Sequence, residues 1–206
     1  MERQDEGNSD GRRALALTVA FLCVAAAGMA VHEMWRDEWQ AWMLARDSVS
    51  FLDLLRNLRH EGHPPGWNFL LFVFSRWTRD PLVMQGAHLA IAATSVYLIA
   101  RYSRLAWLHK VLLAFGYFLA YEYAVIARQY GLGALALFAF CALVPVRQRH
   151  PIAVFFALLV LASTSAYGLI LSVAAGGMLL VEAMVSSDGS ALRWLRRRSV
   201  KFGVLA

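Results

Sequence analysis

Apolar stretches of bilayer-crossing length recur along this chain, and they constrain its fold more than any other feature. A helix needs about 20 predominantly apolar residues to cross the hydrocarbon core of a membrane. Residues 14–31, 82–100, 105–124, 129–146, 152–166 and 168–185 meet or approach that length. The last two form one apolar run, too long for a single crossing, and Ser163-Thr164-Ser165-Ala166-Tyr167-Gly168 is the only place to turn it. Composition agrees: of 206 residues, 59% are hydrophobic and 17% charged, against about a quarter charged in a soluble domain. Mean hydropathy is +0.50. These values exclude a disordered chain, a coiled coil and a conventional water-soluble enzyme. The expected fold class is an all-α integral membrane protein of about six transmembrane helices, forming one module over residues 1–206.

Charge sets the expected orientation. Residues 14–31 follow Arg12 and Arg13 and lead straight into His32-Glu33-Met34-Trp35; the run is long for an apolar signal core, so we expect an uncleaved first span. The apolar piece at 67–77 contains Asn68, ends in Ser75-Arg76 and is short for a crossing. Keeping it outside places Arg3, Arg12, Arg13, Arg101, Arg104, Lys110, Arg147, Arg149, Arg193, Arg196, Arg197, Arg198 and Lys201 on the inner face. That is thirteen of the twenty basic residues. We therefore expect a multi-pass protein of the plasma (inner) membrane with a cytoplasmic N-terminal tail (1–13) and a basic cytoplasmic segment (186–206). Residues 67–77 would form a juxtamembrane or re-entrant helix on the outer face. The net charge of +6 is then a matter of basic loops, and no nucleic-acid partner is expected. Cys23 and Cys141 both lie in apolar runs, so no disulfide framework is expected.

The long outer loop, 32–80, is too elaborate for a connector. Trp35, Trp39, Trp42, Met43, Leu54, Leu55 and Leu58 recur among charges at near-helical spacing, which suits one or two amphipathic helices in the membrane interface. Two of its neighbourhoods, and one beyond it, carry chemistry-bearing residues. Trp35-Arg36-Asp37-Glu38-Trp39 places an acid pair just after the first span, although Asp37 also has the position of a cap for a helix starting near Glu38, with Arg36 as local partner. His60-Glu61-Gly62-His63-Pro64-Pro65-Gly66 is a fixed turn, and Pro65 suits a helix start. Two histidines three apart are weak evidence for a metal, so hydrogen bonds to an anionic ligand are expected instead, with no metal or other cofactor. Beyond the loop, Arg128 stands between the third and fourth spans, and Tyr130 at the start of the fourth. Arg128 is either a snorkelling helix-end residue beside Glu122 or a cation for a phosphate.

An acid pair after span one, a His-Pro-Pro turn before a short apolar helix, and Ala127-Arg128-Gln129-Tyr130 at a later outer helix end together resemble the GT-C glycosyltransferases. The branch resembled is the protein-mannosyltransferase-like group, which includes aminoarabinose transferases and rhizobial lipopolysaccharide core transferases. The likeness covers about residues 14–185. It implies inverting transfer of one sugar from a polyprenyl-phosphate carrier to a cell-envelope glycan, lipid or protein on the outer membrane face. By this likeness Asp37 is the catalytic carboxylate and Glu38 completes its pair. His63 falls at the family's His/Lys-Pro-Pro position and Arg128 and Tyr130 at its Arg-X-Tyr position; together with Arg36 and His60, which the residue chemistry adds, they would bind substrate or phosphate. Two departures stand out. Gly66 follows Pro-Pro where the family often has Leu, and family members run considerably longer, so we expect a fragment whose end (201–206) approaches a seventh span.

Two other functions fit the composition. A transporter or flippase would need polar groups deep in its spans, and those here are sparse: Gln85, His88, Glu122 and Glu182. A membrane scaffold would leave the acidic turn and the His-Pro-Pro segment without a shared purpose.

Overall fold

In the computed structural model, which describes residues 2–187, the chain is helical and contains no strand among the described residues. Its α-helices are α1 (Glu2–Ala30), α2 (Arg36–Asp47), α3 (Phe51–Asn57), α4 (Gly66–Ser75), α5 (Leu82–Tyr102), α6 (Trp107–Ala114), α7 (Gln129–Leu143), α8 (Pro151–Ala162) and α9 (Ala166–Ser187). Among the described residues, four segments are long and apolar enough to cross a membrane: Ser9–Ala30, Leu82–Tyr102, Gln129–Val146 and Ala166–Val185. The first expected span thus lies inside a longer helix that takes in most of the N-terminal tail. The basic tail from residue 188 and the approach to a seventh span lie outside the described residues.

Two expected spans differ in form. Residues 152–166 yield the twelve-residue α8, which ends where the serine- and threonine-rich turn was expected. Residues 105–124 are not one helix: α6 ends at Ala114, and a short π-helix (Phe118–Glu122) follows. Gly116 lies at the break, its amide donating to the Leu113 carbonyl at 3.4 Å, and the π turn closes through Tyr123 N–H to Phe118 O at 2.7 Å. Hydropathy measures composition and is blind to such a break. Lys110, expected among the basic loop residues, is buried, where its ammonium donates to the Ala100 carbonyl at 2.7 Å and lies 4.8 Å from the Trp107 ring centroid. It ties α6 to one of the carbonyls that the last turn of α5 leaves unpaired.

The long helices pack in the order α1, α5, α7, α8, α9. α5 is the central one, with 44% of its apolar window buried within the chain, whereas α9 buries only 6% of its own. Phe21 and Ala25 of α1 meet Ala92 and Val96 of α5 in one core. A second core holds Trp42 and Ala45 of α2, Trp67 and Leu71 of α4, Met84 of α5 and Ala127 just before α7. The apolar pattern of the first loop is therefore divided. Trp42, Leu54 and Leu58 are buried, whereas Trp35, Trp39 and Met43 form an exposed stripe at i, i+4, i+8 along α2.

Several contacts gather helix ends at one end of the bundle. The start of α2 meets the start of α7 through Asp37 and Arg128. The start of α4 meets the α8–α9 turn, where Gly66 N–H donates to Ser163 O at 2.8 Å. At the opposite end lie the Lys110–Ala100 tie and the ion pair of Arg147 with Glu182. Because α5 starts beside the first group and α7 starts within it, residues 103–128 must travel back along α5, a 21-residue helix of about 30 Å.

Arg76, past the end of α4, clamps the carboxyl end of α2. Its guanidinium donates to the carbonyls of Ala45 (3.3 Å), Arg46 (2.8 Å) and Ser48 (3.2 Å), groups a helix end leaves unpaired. Arg76→Leu is expected to destabilise the chain by about 1–2 kcal/mol, read as a lower unfolding temperature in detergent; an unchanged temperature would refute the clamp.

Candidate functional site

Where these helix ends meet, a cleft of about 170 Å³ is lined by Asp37, Gln40, Ala41, Glu61, His63, Pro64, Trp67, Asn68, Ala127, Arg128 and Gln129. Three separated stretches of sequence build it, each for a local reason. Asp37 stands in the first turn of α2, where the helix dipole favours an acid. His63 and Pro64 follow Gly62, whose φ of +67° is a backbone conformation that glycine adopts at little cost. Arg128 is the extended residue that precedes α7, with φ −124° and ψ 166°.

The cleft is closed by two adjacent rungs between the α2 start and the α7 start. In the outer rung, Arg128 Nη2 pairs with Asp37 Oδ2 at 3.0 Å. The Asp37 side chain is 56% exposed, so this pair is worth about 1 kcal/mol or less and yields readily to another anion. In the inner rung, Glu38 Oε1 accepts the Ala127 N–H at 2.7 Å. Its other oxygen accepts the Trp35 N–H at 2.8 Å and lies 2.8 Å from His32 Nε2.

Glu38 is therefore not the second acid of the cleft. It is fully buried, is absent from the lining, and has its carboxylate occupied by three partners. The capping role weighed for Asp37 falls to Glu38 instead, since α2 starts at Arg36, two residues earlier than expected, and Glu38 reaches back to Trp35. The second carboxylate in the lining is Glu61, which accepts from Gln40 Nε2 at 2.7 Å.

Of the other expected residues, His63 and Arg128 line the cleft and Tyr130 adjoins it, its ring centroid 5.4 Å from the Arg128 guanidinium carbon. Arg36 and His60 are exposed and outside the lining; His60 Nε2 accepts from the neighbouring Arg59 at 2.9 Å. Sequence reasoning missed Gln40, Glu61, Asn68 and Gln129. Glu61 and Gln129 lie inside motifs already singled out, and Gln40 is one turn beyond Asp37, on the same helix face. Among the described residues, no group of three or more His, Cys, Asp or Glu side chains converges as a metal site.

Tyr130 also lines a second, larger groove of about 410 Å³ between the π-helix, α7 and the α8–α9 turn. Phe118, Tyr123, Leu137, Phe138, Leu161 and Leu171 give it a mainly apolar wall, with Glu122, Thr164 and Ser165 as polar points. A polar cleft holding a cation and two carboxylates thus adjoins an apolar groove through one tyrosine. Such a pair suits an amphiphile with an anionic, hydroxyl-rich head. No protein-family model, curated protein or solved structure matches the chain.

Proposed function

We propose that the chain is a membrane glycosyltransferase of the GT-C type, taking one sugar from a polyprenyl-phosphate donor with inversion. The observation that carries this reading is the convergence of Asp37, His63 and Arg128, from three distant segments, on one cleft beside an apolar groove. Arg128 and His63 bind the phosphate, and the carrier chain lies along the groove lined by Tyr130. Arrival of the phosphate draws Arg128 away from Asp37. The freed carboxylate takes the proton of the acceptor hydroxyl as the acceptor oxygen bonds to the anomeric carbon and the sugar–phosphate bond breaks. The phosphate leaves with the bond's electron pair, its charge held by Arg128 and His63. Glu38 acts as a positioning residue, fixing Asp37 against Arg128.

In this reading the chain crosses the inner membrane six times with its N-terminus in the cytoplasm, residues 105–124 crossing as a broken helix and 152–166 as a short one. Support comes from the return of the chain to the cleft end at Arg128 and again at Ser163, which requires both segments to run back along the bundle. The exposed apolar surface of α9, including Leu169, Ile170, Val173, Leu180 and Val181, suits lipid. The orientation follows the positive-inside rule: Arg101, Arg104, Arg147 and Arg149 lie near the end opposite the cleft, which supports a cytoplasmic reading of that end and an external one of the cleft.

Asp37→Asn at the native locus is expected to remove one sugar from a single envelope glycan or glycolipid, read by mass spectrometry of envelope glycans and lipid-linked sugars. The sugar donor should accumulate while protein abundance stays unchanged. An identical glycan profile at unchanged abundance would refute the transferase reading.

A further inference from the structure

Trp67 is 1% exposed, lines the cleft, and has an indole N–H that meets no hydrogen-bond acceptor. Gln129 lines the same cleft from the start of α7, and its amide nitrogen is likewise buried without a partner. Buried polar groups are nearly always paired, since leaving one unpaired forfeits its hydration for nothing. Trp42 Nε1 and Ser103 Oγ are buried and unpaired too, but neither residue lines the cleft; Trp67 and Gln129 both do, and two such donors around one cleft point to an occupant that brings acceptors. Trp67 is held firmly enough to wait for it: the ring packs in the core with Trp42, Leu71 and Met84 and meets the buried His88 edge-on, centroids 5.5 Å apart.

The chemistry of the cleft says which acceptors. Trp67 and Gln129 donate without adding charge, so beside Arg128 they can serve a neutral oxygen as readily as a phosphate oxygen. The lining also presents acceptors on Asp37 and Glu61 and the amides of Gln40 and Asn68. A group that both accepts and donates at several positions matches this mixture, and sugar hydroxyls do so. We propose that Trp67 and Gln129 form the hydroxyl-recognition subsite of the cleft, donating to ring-substituent oxygens and thereby selecting the sugar. The assignment rests on the transferase reading and deepens it. A site built to pair a hydroxyl rejects analogues lacking it far more strongly than a hydrophobic pocket does, because its own polar groups are then left unpaired.

The test uses the full chain purified in detergent, with Trp67→Phe and Gln129→Leu, both of which remove donors while keeping bulk. Unfolding temperature is measured alone, with a short polyprenyl phosphate, and with a panel of the same lipid carrying single hexoses or pentoses. In wild type, one sugar-bearing lipid should bind at least tenfold more tightly than the bare lipid. In both variants the ligand-free unfolding temperature should hold or rise, binding of the bare lipid should persist, and the tenfold preference should vanish. A marked fall in ligand-free stability in both variants would show that the protein itself uses these N–H groups and would overturn the assignment. So would survival of the sugar preference in both, or the lack of any preference in wild type that still binds bare lipid. Failure of wild type to bind any lipid phosphate would instead overturn the transferase reading, and this assignment with it.

Discussion

Glu38→Ala is expected to lower stability by about 3–5 kcal/mol and to disconnect the cleft. The substitution leaves the Ala127 and Trp35 amides without their acceptor, strands His32, and opens a cavity in a fully buried site. Arg128 follows directly on Ala127 and Asp37 precedes Glu38, so both partners of the outer rung lose their anchor. The measurement is thermal unfolding in detergent, with a fall on the order of 10 °C expected. Glu38→Gln keeps one acceptor but turns an NH2 group toward donors, so an intermediate loss is expected. Asp37→Asn provides the contrast: an exposed partner is changed, and stability should barely move although transfer is lost. If Glu38→Ala unfolds within about a degree of wild type, the inner rung does not hold the cleft together.

Gly66→Leu, a change toward the residue often found after Pro-Pro in the proposed family, is expected to be nearly as damaging. A Cβ at position 66 would sit 2.5 Å from the Ser163 backbone oxygen and 2.9 Å from Ser163 Cβ, with Ser163 Oγ closer still. Backbone cannot swing aside as a flexible side chain does, so the α8–α9 turn or the start of α4 must shift. The shift breaks the Gly66 N–H to Ser163 O bond at 2.8 Å. Overpacking of this kind costs about 1–3 kcal/mol, before the lost hydrogen bond is added. Trp67 is the next residue, so the cleft should lose ligand binding along with stability. Gly66→Ala should show most of the loss from a single methyl group. A Gly66→Leu variant as stable as wild type would mean that α4 does not dock on this turn.

The contrast between these two sites shows what the sequence carried and what it did not. Periodicity and apolar length located the long helices, the short α4 and the turn at Ser163, because burial or lipid exposure must be written in side chains. Residue chemistry brought Asp37, His63 and Arg128 to notice, because a charged or imidazole group beside an apolar run must be paired, hydrated or used. Asp37 and Glu38, by contrast, look alike in sequence. What separates them is the Ala127 amide, and a backbone donor has no residue type to betray it. Gly66 read as a departure from a pattern until Ser163, almost a hundred positions on, gave it a packing partner. The break near Gly116 was hidden because hydropathy averages over a window whether or not the helix inside it continues. The unpaired donors of Trp67 and Gln129 were beyond reach for the same reason: lacking a partner is a property of surroundings.

The Glu38–Ala127 bond joins positions 89 apart, which gives the cleft a birth order. At roughly 5–20 residues per second of synthesis, Ala127 is made about 5–20 s after Glu38. During that interval the first loop exists without the amide that completes its buried carboxylate, and Asp37 exists without Arg128. Glu38 must stay hydrated until α7 arrives, so the loop cannot settle early against α1 and α5. Ribosome-bound chains released before residue 127 should therefore leave residues 32–80 open to protease, and chains released after α7 should protect them. The cleft would thus be finished in one late step rather than grown along with the helices around it.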